Sequence, residues 1–260
     1  MTDTVTLAYL HDTEVAYSFH DSIVNLLLFD AANEQHVIGG GYIAMRCSTG
    51  GVVEGRNRVA EAFLERESDW LFVIDTDMGF NPDTLERLLE AADPVERPIV
   101  GALCFAWREL AQDGMSGFRC APRPTVFDYV DTPEGAKFMG VTTYPADEVV
   151  QYAGTGSACI LIHRSVIEKI RENYGSTWYD RIRGDDGKPL GEDISFCVRA
   201  NSCGFPIHVH TGVKTTHLKQ LWVSEVDYLQ YMALAQAAPE SNGANRAQRR
   251  QVARQKATTP

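Results

Sequence analysis

Residues 70–80 read WLFVIDTDMGF. The first five are apolar without polar alternation, which predicts a short central strand covered on both faces by helices. The run then stops on Asp75-Thr76-Asp77. In extended or turning backbone, residues i and i+2 project to the same side, so Asp75 and Asp77 can both reach one hard cation and the oxygens around it. D-x-D by itself is a common pattern in an acidic chain, and its position at a strand end is what gives it weight. The bland alternative is that these acids cap the next helix and solvate a loop.

Outward from this stretch the pattern alternates strand and helix. Residues 4–10 (TVTLAYL) predict a first buried strand, and Tyr17 to Ala31 space Ile23, Leu26, Leu27 and Asp30 in a helical rhythm. HVIGGGYIAM (36–45) predicts a second strand loosened by three glycines, which match no dinucleotide fingerprint. GRNRVAEAFLERESDW places Val59, Ala62 and Phe63 on one stripe of a helix starting near Gly55, with Arg56 and Asn57 on its first turn. After the acids, Asn81 is a ready N-cap, Pro82 suits the first helical position, and Leu85, Leu88, Leu89 and Ala92 form a buried stripe. RPIVGALCF (97–105) predicts a further strand. The expectation is one α/β domain over residues 1–238 with a mostly parallel central sheet, in which ligands collect beyond the carboxyl ends of the strands.

The second half adds a glycine-rich turn with Gly154 and Gly156, a strand from Ser157 to Ile162, and a helix opened by a Ser165-x-x-Glu168 capping box and closed near Gly175. The two glycines permit close backbone approach to a ligand or simply form the turn into the strand. Another helix starts at Glu192 and Asp193, acids that the helix dipole favours there, and ends at Gly204. A strand then carries His208 and His210 on one face, and a turn at Thr211 and Gly212 leads to His217.

Composition narrows the function. The net charge is −11, and residues 1–245 hold 19 basic and 35 acidic residues, a balance of −16. Nucleic acid is therefore excluded as the main partner, and an acidic body that handles an anion calls for a metal ion. No stretch reaches the roughly 20 apolar residues of a membrane span, so a cytoplasmic location is expected. The six cysteines are scattered without a C-x-x-C pair and read as reduced. Residues 239–260 form a basic polar tail that is expected to be mobile.

The order of GRN, a helix, DWLFVIDTDMGFNPDTLERLLE, GTGSACILIHRSVIEKI, GEDISFCVRANSCGFPI and a final His resembles the nucleotide-sugar-dependent glycosyltransferases of GT-A fold, over roughly residues 4–220, with a flavour similar to those encoded by bacteriophages. The resemblance implies a GT-A-like (Rossmann-like) domain and a nucleoside-diphosphate-sugar donor. It implies a divalent cation, Mn2+ or Mg2+, held by Asp75, Asp77 and His217. Tyr9 to His11, Arg56, Asn57, Asp75, Thr76, Gly154 and Gly156 would lie along the donor. Asp193, with Glu192 beside it, would be the base toward a hydroxyl acceptor on a virion protein or a glycan, with inversion favoured. The Q-x-x-R-W motif of processive relatives is missing after the acidic pair, which favours transfer of a single sugar. Trp178, Tyr179, Trp222 and Tyr228 are candidates for sugar stacking, although core packing suits most of them better. VIDTDMGF also resembles the strand-end aspartate of haloacid-dehalogenase-like phosphatases, and a glycan- or nucleotide-binding domain without turnover is the non-enzymatic alternative.

Overall fold

The structure is a computed structural model that describes residues 4–47, 50–110, 119–133, 135–185 and 187–220, together with 225, 227–229 and 232–233. The chain divides into two units, Met1–Lys219 and Gln220–Pro260. In the second, Tyr228 is exposed, while Trp222, the boundary expected at 238 and the tail of 239–260 lie outside the described residues.

The elements in chain order are β1 (Val5–His11), α1 (Tyr17–Ala32), β2 (Tyr42–Arg46), α2 (Gly51–Leu64), β3 (Trp70–Ile74), β4 (Met78–Gly79), α3 (Thr84–Ala91) and β5 (Ile99–Leu103). Two hairpins follow, β6 (Phe105–Leu110) with β7 (Arg119–Pro124), and β8 (Val126–Thr132) with β9 (Gly135–Gly140). The chain continues through β10 (Val149–Tyr152), β11 (Gly154–Thr155), β12 (Cys159–His163), α4 (Arg164–Tyr174), α5 (Glu192–Ser202), β13 (Ile207–Lys214) and β14 (Thr216–His217).

Seven strands form the central sheet in the order β10-β13-β5-β12-β3-β1-β2. β1 pairs in parallel with β2 and β3, and β13 with β5. β12 is antiparallel to both its neighbours and β10 is antiparallel to β13. Five of the seven strands therefore point one way, the mostly parallel sheet expected, with β12 reversed in its middle. Helices cover both faces. Along β3, Leu71 and Val73 pack with Val59 and Phe63 of α2, Ile167 of α4 and Phe196 of α5. Trp70, Phe72 and Ile74 pack instead with Phe19 and Leu26 of α1 and Leu85 and Leu88 of α3. This two-sided burial is why WLFVI shows no alternation, since each face demands apolar residues. A fully buried side chain such as Phe63 contributes about 2–3 kcal/mol.

Several boundaries differ from expectation, each for a local reason. The second strand begins only at Tyr42, because the glycines before it turn tightly against β1. A Cβ on Gly40 would fall 2.3 Å from Ser68 Oγ and 2.4 Å from Thr6 Oγ1, and Gly41 has φ +71°. α2 begins at Gly51, one turn before Gly55. Gly55 is a packing glycine, where a Cβ would lie 2.8 Å from Leu10 Cδ1. Arg56 and Asn57 thus sit in the second turn. α3 starts at Thr84 with Asp83 as its cap residue, because Asn81 and Pro82 form a turn in which Asn81 O accepts from Thr84 N (3.1 Å).

The Ser165-Glu168 capping box does not form. His163 Nδ1 accepts from Ser165 N, and Glu168 reaches back to Arg164 at 3.7 Å. Gly175, at φ +70°, closes α4 as expected. No turn interrupts β13 at Thr211 and Gly212. The strand runs on to Lys214 through a register shift. Among the described residues, no helix is long and apolar enough to cross a membrane. Cys104, Cys159 and Cys197 are buried free thiols, and burial pushes their pKa values up.

Candidate active site

β3 delivers Asp75, Thr76 and Asp77 to the carboxyl end of the sheet, and the backbone fixes them in place. Asp75 N donates to Ala158 O (2.9 Å), Met78 N to Asp75 O (3.2 Å), and Leu218 N to Asp77 O (2.8 Å). Thr76 turns back toward β1, its Oγ1 donating to Leu10 O (3.1 Å). The two carboxylates consequently serve different neighbours.

Asp77 meets the end of the domain. β4 pairs with β14 in the register His217↔Met78, which carries His217 Nε2 to 2.9 Å from Asp77 Oδ2 across 140 positions of chain. The other ring nitrogen, Nδ1, donates to Phe105 O (2.8 Å), since a carbonyl can only accept. With Asp77 also an acceptor, both nitrogens carry protons in this geometry, and the hydrogen bond to Asp77 raises the His217 pKa against the opposing effect of burial. Burial would push Asp77 up, but hydrogen bonds from His217 and from Lys219 Nζ (2.8 Å) outweigh it and hold the carboxyl at about 2. Lys219 was not singled out from sequence. Its i+2 spacing from His217, which puts both on one side of extended chain, was the available signal.

Asp75 meets α2 instead. Arg56 is 4% exposed. Its Nη2 lies 3.1 Å from both oxygens of Asp75, while Nη1 donates to Asp193 Oδ1 and stands 3.7 Å from Glu192 Oε1. Burial works against the guanidinium charge, but Asp193 and Asp75 overcome it and the pKa of Arg56 is raised. For Asp75 burial dominates, and its pKa is raised because Arg56 offsets only part of the cost. Asp193 keeps its Oδ2 on the side of Gly156, where a Cβ would stand 3.8 Å away. Glu192 is braced from outside by Arg181 Nη2 (3.2 Å). Both acids occupy the first turn of α5, where unpaired backbone N–H groups favour negative charge.

The remaining predicted residues are placed as follows. Asn57 is engaged by the protein, donating to Asp180 Oδ1 (2.7 Å) and accepting from Tyr179 N (2.8 Å). Tyr9 packs edge-on against Phe19 (5.2 Å between rings), and His11 Nδ1 contacts Asp12 O (2.7 Å) beside it at the end of β1. Gly154 and Gly156 flank Thr155 against α5 and β8. Trp178 and Tyr179 are core residues, 0% and 3% exposed, the former donating to Ile167 O and the latter stacked on Phe196. They are excluded as sugar-stacking surfaces. A cavity of about 590 Å³ lies elsewhere, between α1 and α3, and shares no residue with these acids.

Of the three residues expected to hold a cation, Asp77 and His217 face each other, while Asp75 faces Arg56. Among the described residues, no three His, Cys, Asp or Glu side chains converge to hold a metal ion. The pair itself suits a divalent cation. A carboxylate oxygen and an imidazole Nε2 are a donor set for Mn2+. The Nδ1–H bond to Phe105 O fixes the tautomer whose Nε2 lone pair faces Asp77 once the proton leaves. Asp77 and His217 would hold the ion through a carboxylate oxygen and Nε2 once the proton shared between them has left.

No family model matches the chain, and no curated protein matches it. Among solved structures it is similar to A197 from STIV, at 14% identity and a TM-score of 0.47 over 84% of this chain and 86% of that one. It is also similar to GalNAc-T7, whose structure was determined with UDP, GalNAc and Mn2+, at 10% identity and a TM-score of 0.53 over 85% of this chain. The match spans 44% of the GalNAc-T7 chain, less than half its length. At that identity the likeness establishes the fold, which is GT-A-like.

Proposed function

We propose that this chain is a metal-dependent glycosyltransferase that moves a single sugar from a nucleoside diphosphate to a hydroxyl acceptor. The observation that carries the reading is the meeting of His217 with Asp77 at the end of β3, with the second ring nitrogen tied to Phe105 O. Asp77 and His217 would hold the cation. When bound, a divalent cation supplies positive charge for the diphosphate that leaves as the sugar departs.

The chain's own groups divide the rest of the work. Tyr9 and His11 end the strand beside which the base and ribose would lie. Asp75 and Asp193 are spanned by Arg56, so the donor side and the acceptor side are fixed at a set separation by one planar group. Asp193 is held through Oδ1 and keeps Oδ2 to take the acceptor's proton, the arrangement that inversion requires. Glu192 and the first turn of α5 keep that carboxylate in place.

The phosphatase alternative needs Asp75 as a free nucleophile, yet Arg56 lies on both of its oxygens, which counts against it. The likeness in fold to GalNAc-T7 is compatible with a nucleotide-sugar donor and Mn2+. Calorimetric titration with a panel of nucleoside diphosphates, in Mn2+ and in chelator, tests the reading on the wild type and on Asp77→Ala. The expected result is micromolar, metal-dependent binding of one nucleotide that the substitution abolishes. A folded protein that binds none of them overturns it.

A further inference from the structure

The β8–β9 hairpin stands outside the central sheet and forms a separate three-stranded sheet with β11. In its register Tyr129 faces Phe138 directly across the strands. The two rings lie 4.0 Å apart between centroids, tilted by 41°. An ordinary cross-strand aromatic pair would spend its area on stabilising the hairpin, but Tyr129 is 50% exposed and leaves much of its surface bare.

This pair is contiguous with the site. A Cβ on Gly154 would fall 3.3 Å from Phe138 Cε1 and 3.1 Å from Ile194 Cδ1, so Phe138 and the residue that follows Asp193 both lie over Gly154. The loop before α5 reaches the other end of the hairpin, where a Cβ on Gly135 would lie 3.0 Å from Asp185 Cβ. Burial and then the nearby charge of Asp185 raise the pKa of the Tyr129 phenol, consistent with a carboxylate beside the ring.

We propose that Tyr129 and Phe138 form a stacking platform for a sugar ring of the acceptor, so that the acceptor is a saccharide; the role as acceptor site rests on the glycosyltransferase reading above. A pyranose has one face of C–H groups and a rim of hydroxyls. Aromatic rings take the first and carboxylates the second, and this surface offers both within one patch. A nucleobase would also stack on such rings, but the Asp185 carboxylate beside Tyr129 repels the phosphates that come with it. The platform lies on the α5 side of the site, where the carboxylate of Asp193 is presented.

The test uses the full-length protein on an array of immobilised oligosaccharides, with the strongest binder then titrated calorimetrically. The same preparation is titrated with nucleoside diphosphates in Mn2+. Tyr129→Ala is expected to weaken saccharide binding by about tenfold or more, and Tyr129→Phe, which keeps the ring, to stay within about threefold. Thermal melting of each variant checks that it folds, and Phe138→Ala repeats the test from the partner ring. Nucleotide binding without saccharide binding overturns the platform and leaves the donor reading intact. Saccharide binding without nucleotide binding keeps the platform and removes the transferase. Saccharide affinity unchanged in Tyr129→Ala, or binding only to peptide or oligonucleotide arrays, overturns the proposal.

Discussion

Arg56 Nη2 lies 3.1 Å from both oxygens of Asp75, a contact between the second turn of α2 and the end of β3 that joins two elements at the sheet's carboxyl edge. The same guanidinium engages Asp193. Removing it leaves two partly buried carboxylates without their counter-charge. We expect Arg56→Ala to lower unfolding free energy by about 3 kcal/mol, and Arg56→Lys to recover less than half of that, because a single ammonium cannot span two carboxylates in the way a planar fork does. Denaturant titration measures both, and a loss below about 0.5 kcal/mol, the scale of an ordinary surface substitution, sinks the idea.

In metal-free protein the Asp77–His217 pair has a pH window. Asp77 is depressed from 3.8 to about 2 in the folded state, so its contribution to stability is present above the unfolded value and fades as pH falls from about 4 through about 2. His217 is raised above 6.5, so its contribution is full below that value and is lost as pH rises through the folded pKa. The stability difference between wild type and Asp77→Asn should therefore be largest between about pH 4 and 6.5 and shrink on either side. Melting temperatures across that range decide it, and a flat difference would mean the pair is not coupled.

His217 and the other histidines of this region should separate cleanly in metal binding. His217→Ala is expected to weaken Mn2+ affinity at least about tenfold, on the scale of losses seen even for outer-shell partners. His210, whose Nδ1 accepts from Gly212 N, should be replaceable by Gln without change. Equal losses from both variants would assign the effect to general destabilisation.

Gly40 offers a prediction independent of function. With Ser68 Oγ 2.3 Å and Thr6 Oγ1 2.4 Å from where a Cβ would stand, and with those two hydroxyls bonded to each other, neither can give way without losing a partner. Gly40→Ala should cost about 1–3 kcal/mol, whereas Gly191→Ala, where a Cβ meets nothing within 4 Å, should cost far less. Similar unfolding midpoints for the two would refute this.

The legible parts were those where a local rule and the tertiary packing agree. WLFVI reads as a doubly covered strand because both faces of β3 are in fact apolar, and Gly175 closes α4 because its φ of +70° suits glycine. Gly55 misled because a breaker and a packing glycine look alike until Leu10 is seen lying over it. The reversal of β12 is invisible locally, since CILIH reads the same in either direction. Arg56 read as a cation on the first turn of a helix, and only the long-range placement of Asp193 turns it into a buried bridge. Tyr129 and Phe138 went unremarked because the hairpin's half-exposed strands show neither a clean alternation nor a motif. At the site, Asp77 and His217 could be paired from the order of motifs, while Lys219 and the carbonyl of Phe105 could not.

The reversal of β12 has an electrostatic consequence. In a wholly parallel sheet a helix following each strand would begin at the carboxyl edge, with its unpaired N–H groups turned toward any anion resting there. β12 instead ends beside Trp70, at the opposite edge of β3, so α4 starts on the far side of the sheet. α5 does begin at the near edge, but Glu192 and Asp193 already occupy its first turn. Neither of these two helix starts is left over for a phosphate, so an anion settling above β3 would draw its counter-charge from the cationic side chains gathered at Asp77, His217 and Lys219, or from a cation that arrives from solution.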